Sequence, residues 1–142
     1  MKDIETLLKE IQEAAYEVHL HLCPGFLENV YQNALMHELS LRGIHAEKEV
    51  NIAISYKGSN IGDYRADIVV ENCIILELKA VSETTKLHEA QLVNYLQATG
   101  IDNGVLINFG SDRFRFIRKT RLYNRNYNDS VKFEVVHPRL SR

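Results

Sequence analysis

The sequence predicts an α/β fold, a mixed sheet flanked by helices with the core order αβββαβ. Three observations carry it. Apolar residues recur at helical spacing in three segments, two before residue 43 and one over 84–98. Between them, 49–80 breaks into three strand-like segments separated by short polar turns. After the third helix comes the apolar run 104–109, bounded by Gly104 and Gly110. Strand, helix and strand in succession make a right-handed crossover, so 104–109 is expected parallel to 73–80.

Each element has its own signal. Over 3–22, Ile4, Leu7, Leu8, Ile11, Ala14, Ala15, Val18 and Leu22 share one helical stripe, and Asp3 can cap it. Pro24-Gly25 breaks the pattern. A second helix is expected from about 26 to 42, with Leu27, Val30, Tyr31, Ala34, Leu35 and Leu39 facing inward and Gly43 as its stop. Glu28 lies at i, i+3, i+7 with Tyr31 and Leu35, which places it on the half-buried face, in a first turn that favours a carboxylate. Val50, Ile52, Ile54 and Tyr56 alternate with polar or small residues, a strand over 49–56. After the turn 57–60, a strand from about 61 delivers Asp67, and 73–80 completes an antiparallel meander. In 84–98, His88, Gln91 and Tyr95 form one stripe and Leu87, Leu92 and Leu96 an apolar one beside it, with Gly100 ending the helix. Arg113 and Arg115 alternate with Phe114 and Phe116, a strand that points the arginines one way and buries the rings. Residues 131–136 alternate as a last edge strand.

The chain has 142 residues, 45% of them hydrophobic and 25% charged, which suits one globular domain over 1–142. No apolar run approaches the ~20 residues that span a bilayer, and the first residues lack the apolar core of a signal peptide. Two cysteines make no disulfide framework, so a reduced cytoplasmic protein, away from membranes, is expected. Net charge is only −2, but it is divided: 8 basic against 17 acidic side chains in 1–112, and 9 against 2 in 113–142. A basic end on an acidic body is the pattern of a polyanion-binding surface.

The chemistry gathers in 67–79. Two apolar runs flank Glu71-Asn72, giving a hairpin, and into it the sequence sets Asp67, Glu77 and Lys79. Charges in a sheet core cost several kcal/mol unless paired. Alternation puts Ile75, Glu77 and Lys79 on one face and Ile74, Leu76 and Leu78 on the other. A three-residue loop, 71–73, sets Asp67 opposite Glu77 on one face; a two-residue loop, 71–72, pairs Asp67 with Leu76 and sends it to the other. Two facing carboxylates repel unless a divalent cation lies between them, and hard oxygen ligands select Mg²⁺ or Mn²⁺. Such an ion lowers the pKa of an attacking water, and Lys79 can orient that water or neutralise charge on the phosphorus centre. The competing reading is structural: Asp67 ending a strand and pairing with Lys79 or Arg65.

Asp67 followed by Glu77-Leu78-Lys79 resembles the Asp…Glu-x-Lys signature of the PD-(D/E)XK nuclease superfamily, with Ala66 where a proline often precedes the aspartate. Gly25, Glu28 and Tyr31 resemble the Gly-x-x-Glu-x-x-Tyr motif that names its GxxExxY family. The likeness runs over about residues 5–120. It implies an αβββαβ nuclease core and a metal-dependent activity on nucleic-acid phosphodiesters, DNA above all. It implies metal ligation by Asp67, Glu77 and the Leu78 carbonyl, with Glu28 as a ligand or holding a metal-bound water. His19 is similar to an upstream helical histidine of helicase-associated members; with Cys23 it makes two soft ligands, too few for zinc. Gln91 and Tyr95 resemble the Gln-x-x-x-Tyr pair that contacts phosphate or the metal-bound water. Arg113, Arg115, Arg118, Lys119 and Arg121, with Tyr123 and Tyr127 interleaved before Arg125, are expected to contact nucleic acid, against the plainer reading of a charged edge strand. So small a nuclease is expected to dimerise or to join a helicase or other protein partner. The alternative function is a nuclease fold that binds nucleic acid or protein without cutting.

Overall fold

The computed structural model describes residues 2–121 and the backbone of 134–136. Tyr123, Arg125, Tyr127 and the start of the strand expected over 131–136 lie outside the described residues.

Helix α1 (Ile4–Leu22) starts where Asp3 accepts the Thr6 N–H at 2.7 Å. Its stripe of Leu7, Leu8, Ile11, Ala14, Ala15 and Val18 is buried. Helix α2 (Glu28–Leu41) begins two residues later than its apolar spacing predicts, because Leu27 is an extended N-cap. Leu27 therefore stands off the helix and is 77% exposed, and Glu28 is exposed rather than half-buried. Tyr31, Leu35 and Leu39 carry the buried stripe. Gly43, at φ +73, takes the left-handed turn that ends the helix.

The sheet has six strands in the order β5-β4-β3-β2-β1-β6. Strands β1 (Ala46–Tyr56), β2 (Ser59–Val70) and β3 (Ile74–Lys79) form the expected meander. Helix α3 (Lys86–Thr99) then crosses over, and β4 (Asn103–Asn108) returns parallel to β3, pairing Ile74 with Asn103 through Lys79 with Asn108. Strand β5 (Arg115–Thr120) is antiparallel to β4, and β6 (Glu134–Val136) to β1. Thr85 and His88 cap α3 reciprocally. Leu87, expected on the apolar stripe, lies in the first turn and is 65% exposed; Leu92, Val93 and Leu96 are buried, with Ala98 and Thr99 at the helix end.

Helices α1 and α2 cover one face of the sheet, over Ile68, Val70, Ile74, Leu76, Leu78, Val105 and Ile107. Helix α3 covers the other, over Val50, Ile52, Ala66, Val69, Ile75 and Leu106. Strand β2 changes sides along its length: even-numbered Ile68 and Val70 face the first core, whereas Tyr64 and Ala66 face the second. The switch falls at Asp67, opposite Glu49, which holds φ +55 inside β1.

The crossover is fixed by Asn108, which is 1% exposed. Its side chain accepts the Val81 N–H at 3.1 Å and the Gly110 N–H at 3.0 Å and donates to the Val81 carbonyl at 2.9 Å. A Cβ on Gly110 would land on the Ala80 and Val81 backbone, whereas Gly62 has open space. Gly110→Ala is expected to destabilise the protein by about 2 kcal/mol or more, with Gly62→Ala within about 0.5. Urea unfolding followed by circular dichroism measures both, and equal midpoints for the two variants would contradict this packing.

Candidate active site

The hairpin pairs Ile68 with Leu76, Val69 with Ile75 and Val70 with Ile74. The loop is therefore the three residues 71–73, closed by the Cys73 N–H on the Val70 carbonyl, with Glu71 and Asn72 both at positive φ. Continued one residue, this register sets Asp67 against Glu77. The ladder stops there. The Leu78 N–H donates instead to Asp67 Oδ2 at 2.8 Å, and the Asp67 carbonyl accepts from Gln32 Nε2 on α2 at 2.9 Å. The strands part at Asp67, and each of these two backbone groups is satisfied by a side chain.

Glu77 faces the α3 side. The hydroxyl of buried Tyr64 donates to its Oε1, and the Tyr64 ring lies flat on Tyr95, centroids 3.7 Å apart and planes 7° from parallel. Burial pushes the Glu77 carboxyl up to about 8, helped by the Asp67 charge; Tyr64, Lys79 and the Asp67 backbone oppose the shift. Burial likewise raises Asp67, against the Leu78 N–H and the Lys79 ammonium. Burial and then the Glu77 charge raise the Tyr64 phenol. Lys79 ends β3, half-buried, its carbonyl accepting the Phe109 N–H at 2.8 Å.

A cleft of about 220 Å³ opens beside Asp67, lined by Glu28, Asn29, Gln32, Glu49, Arg65, Asp67 and Leu78. Arg65 pairs with Glu49 across it at 3.5 Å rather than with Asp67. The loop leading into Glu28 is fastened from below. Buried Tyr31 donates its hydroxyl to the Cys23 carbonyl at 2.6 Å and accepts the Phe26 N–H at 3.2 Å. Its ring stacks on Phe109 at 4.9 Å. Gly25 sits at φ +128, a backbone only glycine adopts without strain.

The predicted residues thus divide. Asp67, Glu77, Leu78 and Lys79 converge where β2 and β3 part, and Glu28 shares the cleft with Asp67 and Leu78. Tyr95 reaches Glu77 through Tyr64, with exposed Gln91 one turn earlier. His19 is elsewhere: its Nε2 faces the Asp112 carbonyl at 3.3 Å, among Tyr16 and Phe114. Arg113 and Arg115 are exposed. Arg118, Lys119 and Arg121 pair with Glu5, Glu89 and Asp102 at 2.9, 2.6 and 2.8 Å. Sequence reasoning missed Tyr64 and Gln32. Tyr64 reads as a strand residue three before Asp67, and Gln32 as a polar residue inside a helix; what singles each out is a partner distant in sequence.

The family model for the PD-(D/E)XK nuclease superfamily matches residues 5–120. The chain belongs to the PD-(D/E)XK nuclease superfamily. No curated protein matches it. Among solved structures, the crystal structure of SSO0001 is similar in fold, with a TM-score of 0.50 and 24% identity over 65% of this chain and 48% of that one. The chain therefore spans about half the length of that relative.

Divalent-metal dependence is general among PD-(D/E)XK nucleases, and the donor set here can be tested against it. Among the described residues, no three His, Cys, Asp or Glu side chains gather around one point. Two carboxylates and a backbone carbonyl are what the site offers, and Mg²⁺ and Mn²⁺ accept such a set completed by water, where zinc asks for nitrogen or sulfur. Both carboxyls are raised because burial opposes their charge, an opposition that a cation bound between them would offset. Without one, Glu77 destabilises the fold as it ionises. The native state holds its proton up to about 8, whereas the unfolded chain releases it near 4.5. Stability from this group is full below 4.5 and falls as pH rises through 8. In metal-free buffer, Glu77→Gln is expected to match the wild type at pH 5 and to exceed it at pH 9 by on the order of 1–3 kcal/mol in urea unfolding. A variant less stable at pH 9 would reverse the sign.

Proposed function

We propose that this chain is a metal-dependent nuclease that hydrolyses phosphodiester bonds of nucleic acid, DNA in the first instance, with Mg²⁺ or Mn²⁺. One observation carries the reading: Asp67 and Glu77 face each other where the β2–β3 ladder parts, with Lys79 two residues beyond Glu77. Asp67, Glu77 and the Leu78 carbonyl would hold the ion, with Glu28 assisting from the rim of the cleft. The ion supplies a polarised phosphate and a water acidic enough to attack it. Lys79 holds that water or offsets charge growing on the phosphorus centre. Tyr64 fixes Glu77, and Tyr95 supports Tyr64, so that Glu77 meets the cation in one orientation. Gln91 contacts the scissile phosphate. The roles of Gly25 and Tyr31 in shaping the loop before Glu28 support membership of the GxxExxY family.

Binding of the ion must discharge the proton that Glu77 holds near neutrality, so affinity rises with pH towards 8. Calorimetry at pH 7 in buffers of different ionisation enthalpy is expected to show proton release with Mg²⁺ or Mn²⁺, and affinity at least tenfold weaker for Asp67→Ala and Glu77→Ala. Equal affinity for all three proteins would remove the metal site.

Lys79→Met separates chemistry from binding. It keeps an apolar stem of similar length, so β3 still packs, and it leaves both carboxylates. It is expected to fold, to bind ion and DNA within a few-fold of wild type, and to lose roughly 10²-fold or more in cleavage, the scale of one electrostatic or acid–base group. Cleavage at the wild-type rate would take Lys79 out of the mechanism. A wild type that binds DNA in a salt-dependent way but cuts no plasmid or oligonucleotide with Mn²⁺ would make the fold a binding module.

A further inference from the structure

A second cluster lies at the same end of the sheet, outside the cleft. Tyr16 and His19 of α1 meet Phe114, in the turn before β5, with ring centroids 5.4 Å from it in each case. Tyr16 lies 6.4 Å from His19, near parallel, and Phe116 continues the row 6.3 Å from Phe114. His19 is held by the Asp112 carbonyl, and its Nδ1 is closed off from solvent with no partner among the described residues. Tyr16, on top, is 47% exposed.

Arg113 and Arg115 stand on either side of Phe114 in the chain, and both are exposed. Among the described residues no ion pair engages them, whereas Arg118, Lys119 and Arg121 beyond them are all neutralised. Among the described residues the expected basic strand thus narrows to two open guanidiniums, at the start of the edge strand that also carries the rings. Strand register carries these rings to the reaction centre. Leu78, which lines the cleft, pairs with Ile107, and Ile107 with Phe116, so the three share a row and the face covered by α1 and α2, while Arg115 lies in the Lys79 row on the other face of the same edge strand. The row crosses two strand spacings, about 10 Å.

An exposed ring needs an apolar π-face to meet, and free arginines need an anion. A duplex offers phosphates but keeps its base faces in the stack; a single strand offers both together. We propose that Tyr16, seated on Phe114 and His19 beside the edge strand that carries Arg113 and Arg115, is a stacking platform for an unpaired base, so that substrate enters the cleft as a single strand. This rests on the nuclease reading above and specifies its substrate.

The test is fluorescence anisotropy with a labelled single-stranded oligonucleotide and its duplex, on full chains carrying Lys79→Met so that neither is cut. Tyr16→Ala is expected to weaken single-strand binding roughly tenfold, with duplex binding within twofold and Tyr16→Phe restoring the parent affinity. Tyr16→Leu, which keeps apolar cover over Phe114 but has no π-face, is expected to melt like the parent and bind like Tyr16→Ala. Arg113→Ala and Arg115→Ala are expected to weaken both forms and flatten the salt dependence. Unchanged single-strand affinity in Tyr16→Ala or Tyr16→Leu would overturn the platform, as would equal losses for strand and duplex. Self-association of the wild type that Tyr16→Ala abolishes, without an effect on oligonucleotides, would make the cluster an interface between copies and also overturn it. If the wild type cuts nucleic acid while the Tyr16 variants bind unchanged, only the platform falls. If the wild type neither binds nor cuts any nucleic acid, the nuclease reading falls with it.

Discussion

One carboxylate standing where a backbone rung should be is the constraint from which the rest of the site follows. Asp67 Oδ2 takes the Leu78 N–H, and the carbonyl of Asp67 is left to Gln32. A buried backbone group without a partner costs about 1–3 kcal/mol, so strands can part inside a sheet only if side chains replace the lost bonds. Both replacements are side chains held rigidly, one on β2 itself and one on α2. The parting lets β2 pass from one core to the other within two residues, and it opens the cleft. It also brings the start of α2 to the cleft, because the helix that supplies Gln32 must begin one turn earlier, at Glu28.

The second consequence is electrostatic. Once Asp67 is turned to Leu78, Glu77 lies beside it in a half-buried place, and both carboxyls are raised above their ordinary values. Tyr64, Lys79 and the Leu78 N–H offset part of this and not all of it. A sheet selected for stability alone would carry apolar residues at both positions, as the neighbouring Ile68 and Leu76 do. Retaining an uncompensated acidic pair where burial opposes its charge is the stability cost that functional sites commonly carry.

This division explains what the sequence makes legible. The meander, the crossover and the alternation of β3 follow from local periodicity, and each is found. Placing Asp67 turns on a single residue of loop length, because one step of register moves a side chain through the sheet. Both loop lengths suit the sequence, and the observed three-residue loop rests on Glu71 and Asn72 accepting positive φ. Leu27 and Leu87 mislead for a common reason: each matches helical spacing but sits at or before a first turn, where spacing no longer fixes direction. Tyr64 and the acidic partners of Arg118, Lys119 and Arg121 involve residues 13 to 113 positions apart in the chain, so no local pattern announces them. The charge divide in the sequence is real, yet among the described residues folding sets Arg118, Lys119 and Arg121 against acidic side chains of the body.

The motif Gly25–Glu28–Tyr31 can now be read as the answer to one mechanical problem, that of setting the start of α2 against the end of β3. The Lys79 carbonyl holds the Phe109 N–H, Phe109 stacks on Tyr31, and the Tyr31 hydroxyl grips the loop at Cys23 and Phe26. Gly25 lets that loop turn back sharply enough to reach it. Three residues of separation between Glu28 and Tyr31 put the buried ring one helical turn below the rim carboxylate, so fixing the ring fixes the rim. Tyr31 is therefore a poor candidate for contact with substrate and a strong one for alignment. It refers the position of Glu28 to the same strand end that carries Lys79, through the stacked, buried rings of Tyr31 and Phe109 and through backbone groups rather than flexible side chains.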